Sequence, residues 1–182
     1  MNFPKPYADQ VAKLRVPGGF VLVAAFIWLS EPSLKSLAMG LPVSLLGLLL
    51  RGWAAGHLEK NSTLAESGPY ARVRNPLYLG TLTVAAGFVL ASMRWELGVL
   101  FAIFFLLIYL PVVQLEEQHL RNLFPAFDEY CQRVPQLIPR LVGIRRGPQR
   151  FRWWLYKKNR EYEAGGAFLL GVAILAGKAL WR

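Results

Sequence analysis

Residues 75–93 read NPLYLGTLTVAAGFVLASM, nineteen residues without a charge. A helix spanning a bilayer's hydrocarbon core takes about 20 mostly apolar residues. Asn75-Pro76 opens the stretch with turn chemistry, because proline fits a first helical turn, where its missing N–H needs no partner. Four more charge-free stretches flank it: 16–30, 36–50, 97–113 and 164–177. The shorter ones reach spanning length once Lys35, Arg51 or Lys178 snorkels to the interface. The sequence therefore predicts an all-α integral membrane protein of about five transmembrane helices. They are expected at about 16–34, 36–56, 76–93, 95–114 and 163–181, with a tight turn at Glu31-Pro32-Ser33.

Composition agrees. The 182 residues are 54% hydrophobic and 18% charged, against about 25% charged in ordinary globular chains. Disorder is excluded, since it requires low hydrophobicity. A single cysteine, Cys131, excludes a disulfide scaffold. The net charge of +10 is distributed unevenly. In the five-span topology, seventeen of the 21 Lys and Arg fall on one side, ten of them between Arg121 and Arg160. The positive-inside rule makes that side cytoplasmic, with the N-terminus inside. Trp28, Trp95 and Trp181 then mark one interface and Trp53, Trp153 and Trp154 the other, as an aromatic belt would. The compact chain points to a bacterial inner membrane. The basic 140–160 segment abuts a span, so its expected partners are anionic lipid head groups, at about 1 kcal/mol per cation, and no nucleic acid.

Residues 1–58 read as a two-span helical hairpin, in which Gly52 and Gly56 form a small-xxx-small pair suited to close helix approach. Residues 59–182 hold a polar loop, a second hairpin, an amphipathic cytoplasmic segment and the final span. In that segment Glu116, Leu120, Leu123 and Phe127 share one helical face. Pro125 is expected to bend or restart the helix, and Pro135 and Pro139 to end it. The run Asn159-Arg160-Glu161-Tyr162-Glu163 reads as the cap and interfacial anchor of the last span. No tract suggests a metal site.

Two polar clusters return to the same interface at either end of the second hairpin. The first is Gly68-Pro69-Tyr70-Ala71-Arg72-Val73-Arg74-Asn75-Pro76-Leu77-Tyr78-Leu79-Gly80; the second starts at Glu116-Glu117. Carboxylates near apolar depth are costly unless cations meet them, so Glu116 or Glu117 is expected to face Arg72 or Arg74. On the residues alone, such a pair is equally a structural tie or part of a site.

The first cluster resembles the "GPY…RHPxYxG" element of the isoprenylcysteine carboxyl methyltransferase family and its phospholipid N-methyltransferase relatives. The second, from Glu116-Glu117 through Leu120, Phe124 and Tyr130 to Val134-Pro135 and Pro139, is similar to that family's "EExxLxxxFGxxYxxYxxxVPR" element. Asn75 stands where the family has His, Pro125 for Gly, Phe127 for the first Tyr and Gln136 for Arg. Asn hydrogen-bonds but does not titrate near neutral pH, so a positioning role replaces proton transfer there.

The resemblance implies S-adenosylmethionine as methyl donor and a lipidic acceptor entering from the bilayer. It implies Arg74, Asn75 and Glu117 as catalytic residues, with Arg72, Arg74, Asn75, Tyr78, Leu79, Gly80, Glu116, Glu117 and Leu120 around the cofactor. An isoprenylcysteine-like carboxylate is the favoured acceptor, because it is already ionised and needs no general base. A lipid amine, as in phosphatidylethanolamine, would need one, with Glu117 or His119 as candidates. An NADPH-dependent sterol-type reductase and a non-enzymatic scaffold are the alternatives. His57 and Cys131 read as structural helix residues.

Overall fold

The computed structural model describes residues 3–140 and 150–181, and their regular elements are all helical. They are α1 (Lys5–Leu29), α2 (Leu34–Ala55), a 3-10 turn (Gly68–Ala71), α3 (Pro76–Ser92), α4 (Trp95–Leu123), α5 (Phe127–Arg133), α6 (Trp153–Lys158) and α7 (Tyr162–Leu180). Helices α1, α2, α4 and α7 are long and apolar enough to cross a membrane, and α3 is a shorter apolar helix packed along α2. Part of the basic 140–162 segment, with Arg145 and Arg146, lies outside the described residues.

Three boundaries differ from the sequence reading. Helix α1 starts at Lys5 rather than near residue 16 and stops at Leu29 rather than 34. Hydropathy marks where a helix is apolar, not where it begins, and the Lys5–Arg15 turns are helical but charged. The early stop follows from Pro32, which disfavours helix at the residue before it. Ser33 then opens α2 with a capping box: its Oγ accepts from Ser36 N at 3.1 Å and Ser36 Oγ accepts from Ser33 N at 2.9 Å. The fourth predicted span and the amphipathic stripe form one helix, α4, that runs to Leu123. The chain breaks at Pro125 and restarts at Phe127, as the stripe's interruption suggested.

Within α4, residues Phe105–Tyr109 form a π turn just ahead of Pro111. Proline has no N–H for the carbonyl four residues back, which is Leu107. That carbonyl accepts instead from Tyr7 Oη at 2.8 Å, so α1 satisfies an acceptor that α4 cannot.

The closest helix contact joins α2 and α3. A Cβ on Gly47 would stand 2.6 Å from both Gly80 O and Val84 N, backbone atoms with no way to turn aside. Ser44 Oγ donates to Val84 O at 2.9 Å and Ser36 Oγ to Ala91 O at 2.8 Å, so buried hydroxyls tie the same seam. The Gly52/Gly56 pair is not part of it. Those two face aromatic rings, Tyr156 and Phe151, from the segment before the last helix. Helix α7 closes the bundle through Leu37, Ala91 and Leu175, with Phe88 edge-on to Phe26 and Phe168. Large side chains such as Phe20, Val21, Leu46, Leu169 and Leu170 point outward. An apolar exterior over a small core suits a lipid surround.

One end of the bundle carries Trp28, Trp95 and Trp181, all exposed, with Arg94 on Glu31 at 2.6 Å and Lys178 Nζ donating to Ile27 O at 2.6 Å. The opposite end carries both motif clusters.

Candidate active site

Backbone pairing brings the two clusters together. Arg74 N donates to Pro135 O at 2.9 Å, Asn75 N to Gln136 O at 3.2 Å and Arg140 N to Arg72 O at 3.0 Å. Tyr130 Oη donates to Tyr70 O at 2.8 Å. Phe127, Tyr130 and Val134 are buried under this seam with Leu64, Leu120 and Phe124. The loop that delivers Tyr70 turns at Gly68, where φ is +59° and the His57 ring occupies the space of a Cβ. Only glycine meets both demands without strain. His57 is buried, and its Nδ1 lies 3.1 Å from Ser67 Oγ. Burial, reinforced by Arg152, lowers its pKa.

The side chains converge as well. Asn75 Nδ2 donates to Glu117 Oε1 at 2.9 Å. Arg74 Nε lies 3.3 Å from the same oxygen but is not aimed at it, and this buried Nε has no hydrogen-bond partner. Tyr78 Oη donates to Glu116 Oε1 at 2.9 Å, and Arg15 reaches along α1 to within 3.9 Å of that oxygen. The expected carboxylate–arginine encounter is thus Glu117 with Arg74. Arg72 is exposed and its backbone, not its side chain, joins the seam.

A cavity of about 750 Å³ opens beside these groups. Its wall includes Arg74, Asn75, Tyr78, Glu116, Glu117 and Leu120 from the anticipated set. Arg72, Leu79 and Gly80 lie outside the wall. Gly80 packs against Gly47 O and the Arg51 side chain, so its missing Cβ serves helix contact. Sequence reasoning did not assign Arg15, Arg51, Tyr70, Thr81 or Tyr109 to the site, yet all line it. Tyr70 and Tyr130 are held protonated well above the usual phenol range, chiefly by burial. Burial also raises the Cys131 thiol, which keeps it a poor nucleophile. His119 sits at the rim with Nε2 3.2 Å from Asn61 Oδ1.

Arg51 is held most firmly. Its Nε lies 2.5 Å from Glu161 Oε1 and its Nη2 3.1 Å from Oε2, while Nη1 donates to Thr81 Oγ1 at 2.5 Å. Glu161 is 6% exposed and precedes α7 directly. Asn159 adds bonds from Nδ2 to Leu58 O at 2.8 Å and Ala55 O at 3.0 Å. The run read as an anchor therefore ties the last helix to the cavity wall.

Two curated relatives share much of this sequence. The cobalt-zinc-cadmium resistance protein CzcN of Cupriavidus metallidurans is 36% identical over 154 residues, covering 81% of this chain and 67% of its own. The nickel-cobalt-cadmium resistance protein NccN of Alcaligenes xylosoxydans xylosoxydans is 31% identical over 120 residues, covering 65% of this chain and 55% of its own. No solved structure matches. The phospholipid methyltransferase family model matches residues 18–126, from the first turns of the apolar part of α1 through both halves of the Asn75–Glu117 cluster. With that match over more than half its length, and with the residues of both motif clusters meeting at one cavity, the chain belongs to the phospholipid methyltransferase family of membrane proteins.

Proposed function

We propose that this chain transfers a methyl group from S-adenosylmethionine to the carboxylate of a lipidic, isoprenylcysteine-like acceptor at the cytoplasmic face of a bacterial inner membrane. The observation that carries the reading is the Asn75–Glu117–Arg74 cluster in the wall of the 750 Å³ cavity. Pockets for small molecules and cofactors run from about 300 to 1,000 Å³.

The residues present fit the donor. A guanidinium has five N–H donors. Among the described residues that of Arg74 bonds at Cys131, with Nη1 donating to the carbonyl at 3.4 Å, and its buried Nε has no hydrogen-bond partner, which leaves donors for a carboxylate. Glu116 and Glu117 supply acceptors for an ammonium in charge-assisted bonds. Tyr78, Tyr109 and Leu120 offer faces for an adenosyl group. S-adenosylmethionine supplies, when bound, a methyl carbon made electrophilic by its sulfonium.

This chain's own work is then placement and exclusion of water. Asn75 fixes the Glu117 carboxylate, and the backbone bonds to Pro135 and Gln136 fix Asn75. An ionised carboxylate needs no proton removed, which suits a wall whose only histidine is His119 at the rim. The family's description favours a second reading, N-methylation of a phospholipid amine. There a base must take the amine proton, with His119 or Glu117 as the candidate.

Radiolabelled methyl donor offered with prenyl-cysteine analogues and, separately, phosphatidylethanolamine tests both. Base-labile label on the prenyl-cysteine carboxylate supports the first reading. Label only on the amine replaces it with the second, and no label on either overturns methyl transfer to these lipids.

A further inference from the structure

Arg51 lies across the start of α3. Its stem passes Gly80, where a Cβ would stand 2.5 Å from Arg51 Cγ. Beyond that crossing Nη1 donates to Thr81 Oγ1 at 2.5 Å and reaches Leu77 O at 3.4 Å. Thr81 Oγ1 in turn donates to Leu77 O at 3.0 Å. A side chain ahead of a helix ordinarily accepts from the free N–H groups of its first turn. Asn75 makes no such capping bond, and its Nδ2 goes to Glu117 and to Gln136 O. The polar side chain that opens α3 thus serves the cavity, and Arg51 grips the turn from its flank.

Glu161 holds the other side of the guanidinium. Its two oxygens take Nε and Nη2 side by side, the fork in which a planar guanidinium matches a carboxylate. Each nitrogen of Arg51 is therefore engaged by the protein, although Arg51 lines the large cavity. Glu161 is buried and is not part of the cavity wall. Its own segment is fastened to the end of α2, where Asn159 Nδ2 donates to Ala55 O and Leu58 O. The end of α2, the 159–161 segment and the first turn of α3 thus close a loop of contacts through one guanidinium. Asn75 and Tyr78 sit at the turn so held, and they are the residues that bond Glu117 and Glu116. Freeing the turn would displace both, and a misplacement of about 1 Å can cost roughly 100-fold in rate.

We infer that Arg51 and Glu161 are positioning residues for the site: together they fix the first turn of α3, so that Asn75 and Tyr78 meet the two carboxylates of α4. The inference rests on the methyl-transfer reading for which ligand the fixed turn serves, but not for whether the turn is fixed. The pair is neutral as a whole. Removing both partners leaves the charge of the wall unchanged, so ligand affinity lost with them is lost through geometry.

Arg51→Met with Glu161→Leu, made in the full chain and studied in detergent, separates fold from function, because an apolar pair of similar volume can replace a buried ion pair without loss of stability. The double variant is expected to keep an unfolding midpoint near wild type. Amide hydrogen exchange at Leu79, Gly80 and Thr81, which reports local opening, should quicken at least tenfold. Calorimetry should show S-adenosylmethionine bound at least tenfold more weakly. A pair that only ties helices would return affinity together with stability, so wild-type affinity in the folded double variant overturns the inference. Wild-type exchange at those three amides overturns it too. Should the double variant fail to fold, Thr81→Val carries the test, since it keeps the ion pair and removes its hold on α3. The same exchange should then quicken at least threefold with a matching loss of affinity, and unchanged values overturn the inference. Absence of S-adenosylmethionine binding by the wild-type chain would sink the methyl-transfer reading alone, and the exchange rates would still decide whether Arg51 fixes the turn.

Discussion

Gly47→Ala tests how α2 and α3 hold the site. The new Cβ would meet Gly80 O and Val84 N at 2.6 Å and Thr83 Cβ at 2.9 Å, where ordinary contact begins at 3.4 Å. The shortfall is about 0.8 Å against two backbone atoms, so no rotamer relieves it and the helices must part. Overpacking of this kind costs typically 1–3 kcal/mol. Parting also strains the Ser44 bond to Val84 O, and interhelical bonds in membranes average about 0.6 kcal/mol. A total of about 2 kcal/mol raises the unfolding constant roughly thirtyfold, at 1.4 kcal/mol per tenfold. Gly177→Ala is the control, since no heavy atom lies within 4 Å of its Cβ position. There the better helix propensity of Ala favours the fold by up to about 1 kcal/mol. Equilibrium unfolding in mixed micelles, followed by circular dichroism, compares the two. If Gly47→Ala unfolds like wild type, or Gly177→Ala loses as much, the close α2–α3 contact is not what stabilises the bundle.

Three further outcomes follow from the same contacts. Glu161→Ala leaves the Arg51 guanidinium part-buried without its carboxylate, and breaking such pairs costs about 3–5 kcal/mol; Arg51→Met with Glu161→Leu should recover much of that in the same unfolding assay. His57 has a depressed folded-state pKa, so the unfolded chain binds more protons below the ordinary value of 6.5. Its contribution is therefore complete above pH 6.5 and is lost as pH falls through the folded pKa, and His57→Gln should flatten that part of the stability profile. Tyr7→Phe strands the Leu107 carbonyl ahead of Pro111 and should lower stability by about 1 kcal/mol, while Tyr109→Phe, whose ring stacks on Phe105 at 5.6 Å, should not.

The membrane helices were legible because charge-free runs report directly on what lipid tolerates. The convergence of Asn75 and Glu117 was legible too: a hairpin of two spans returns its ends to one interface, wherever its helices begin. Charged turns hid the start of α1, since Lys5, Asp9, Lys13 and Arg15 are helical yet carry no apolar signal. Gly80 stood among the cofactor residues that the resemblance implied, and what comes close to it is the Arg51 side chain and the backbone of α2. The Gly52/Gly56 spacing matched a helix–helix seam and instead accommodates Tyr156 and Phe151. The Arg51–Glu161 pair joins residues 110 positions apart, and no periodicity links residues at that distance.

Titration of S-adenosylmethionine into the purified, detergent-solubilised chain probes the Asn75–Glu117–Arg74 cluster most directly. Wild type should bind one equivalent, and Glu117→Gln should weaken binding at least tenfold while its unfolding midpoint in the same detergent stays near wild type. Undiminished binding by folded Glu117→Gln, or none by wild type, would contradict a donor site at the junction of the two motif clusters.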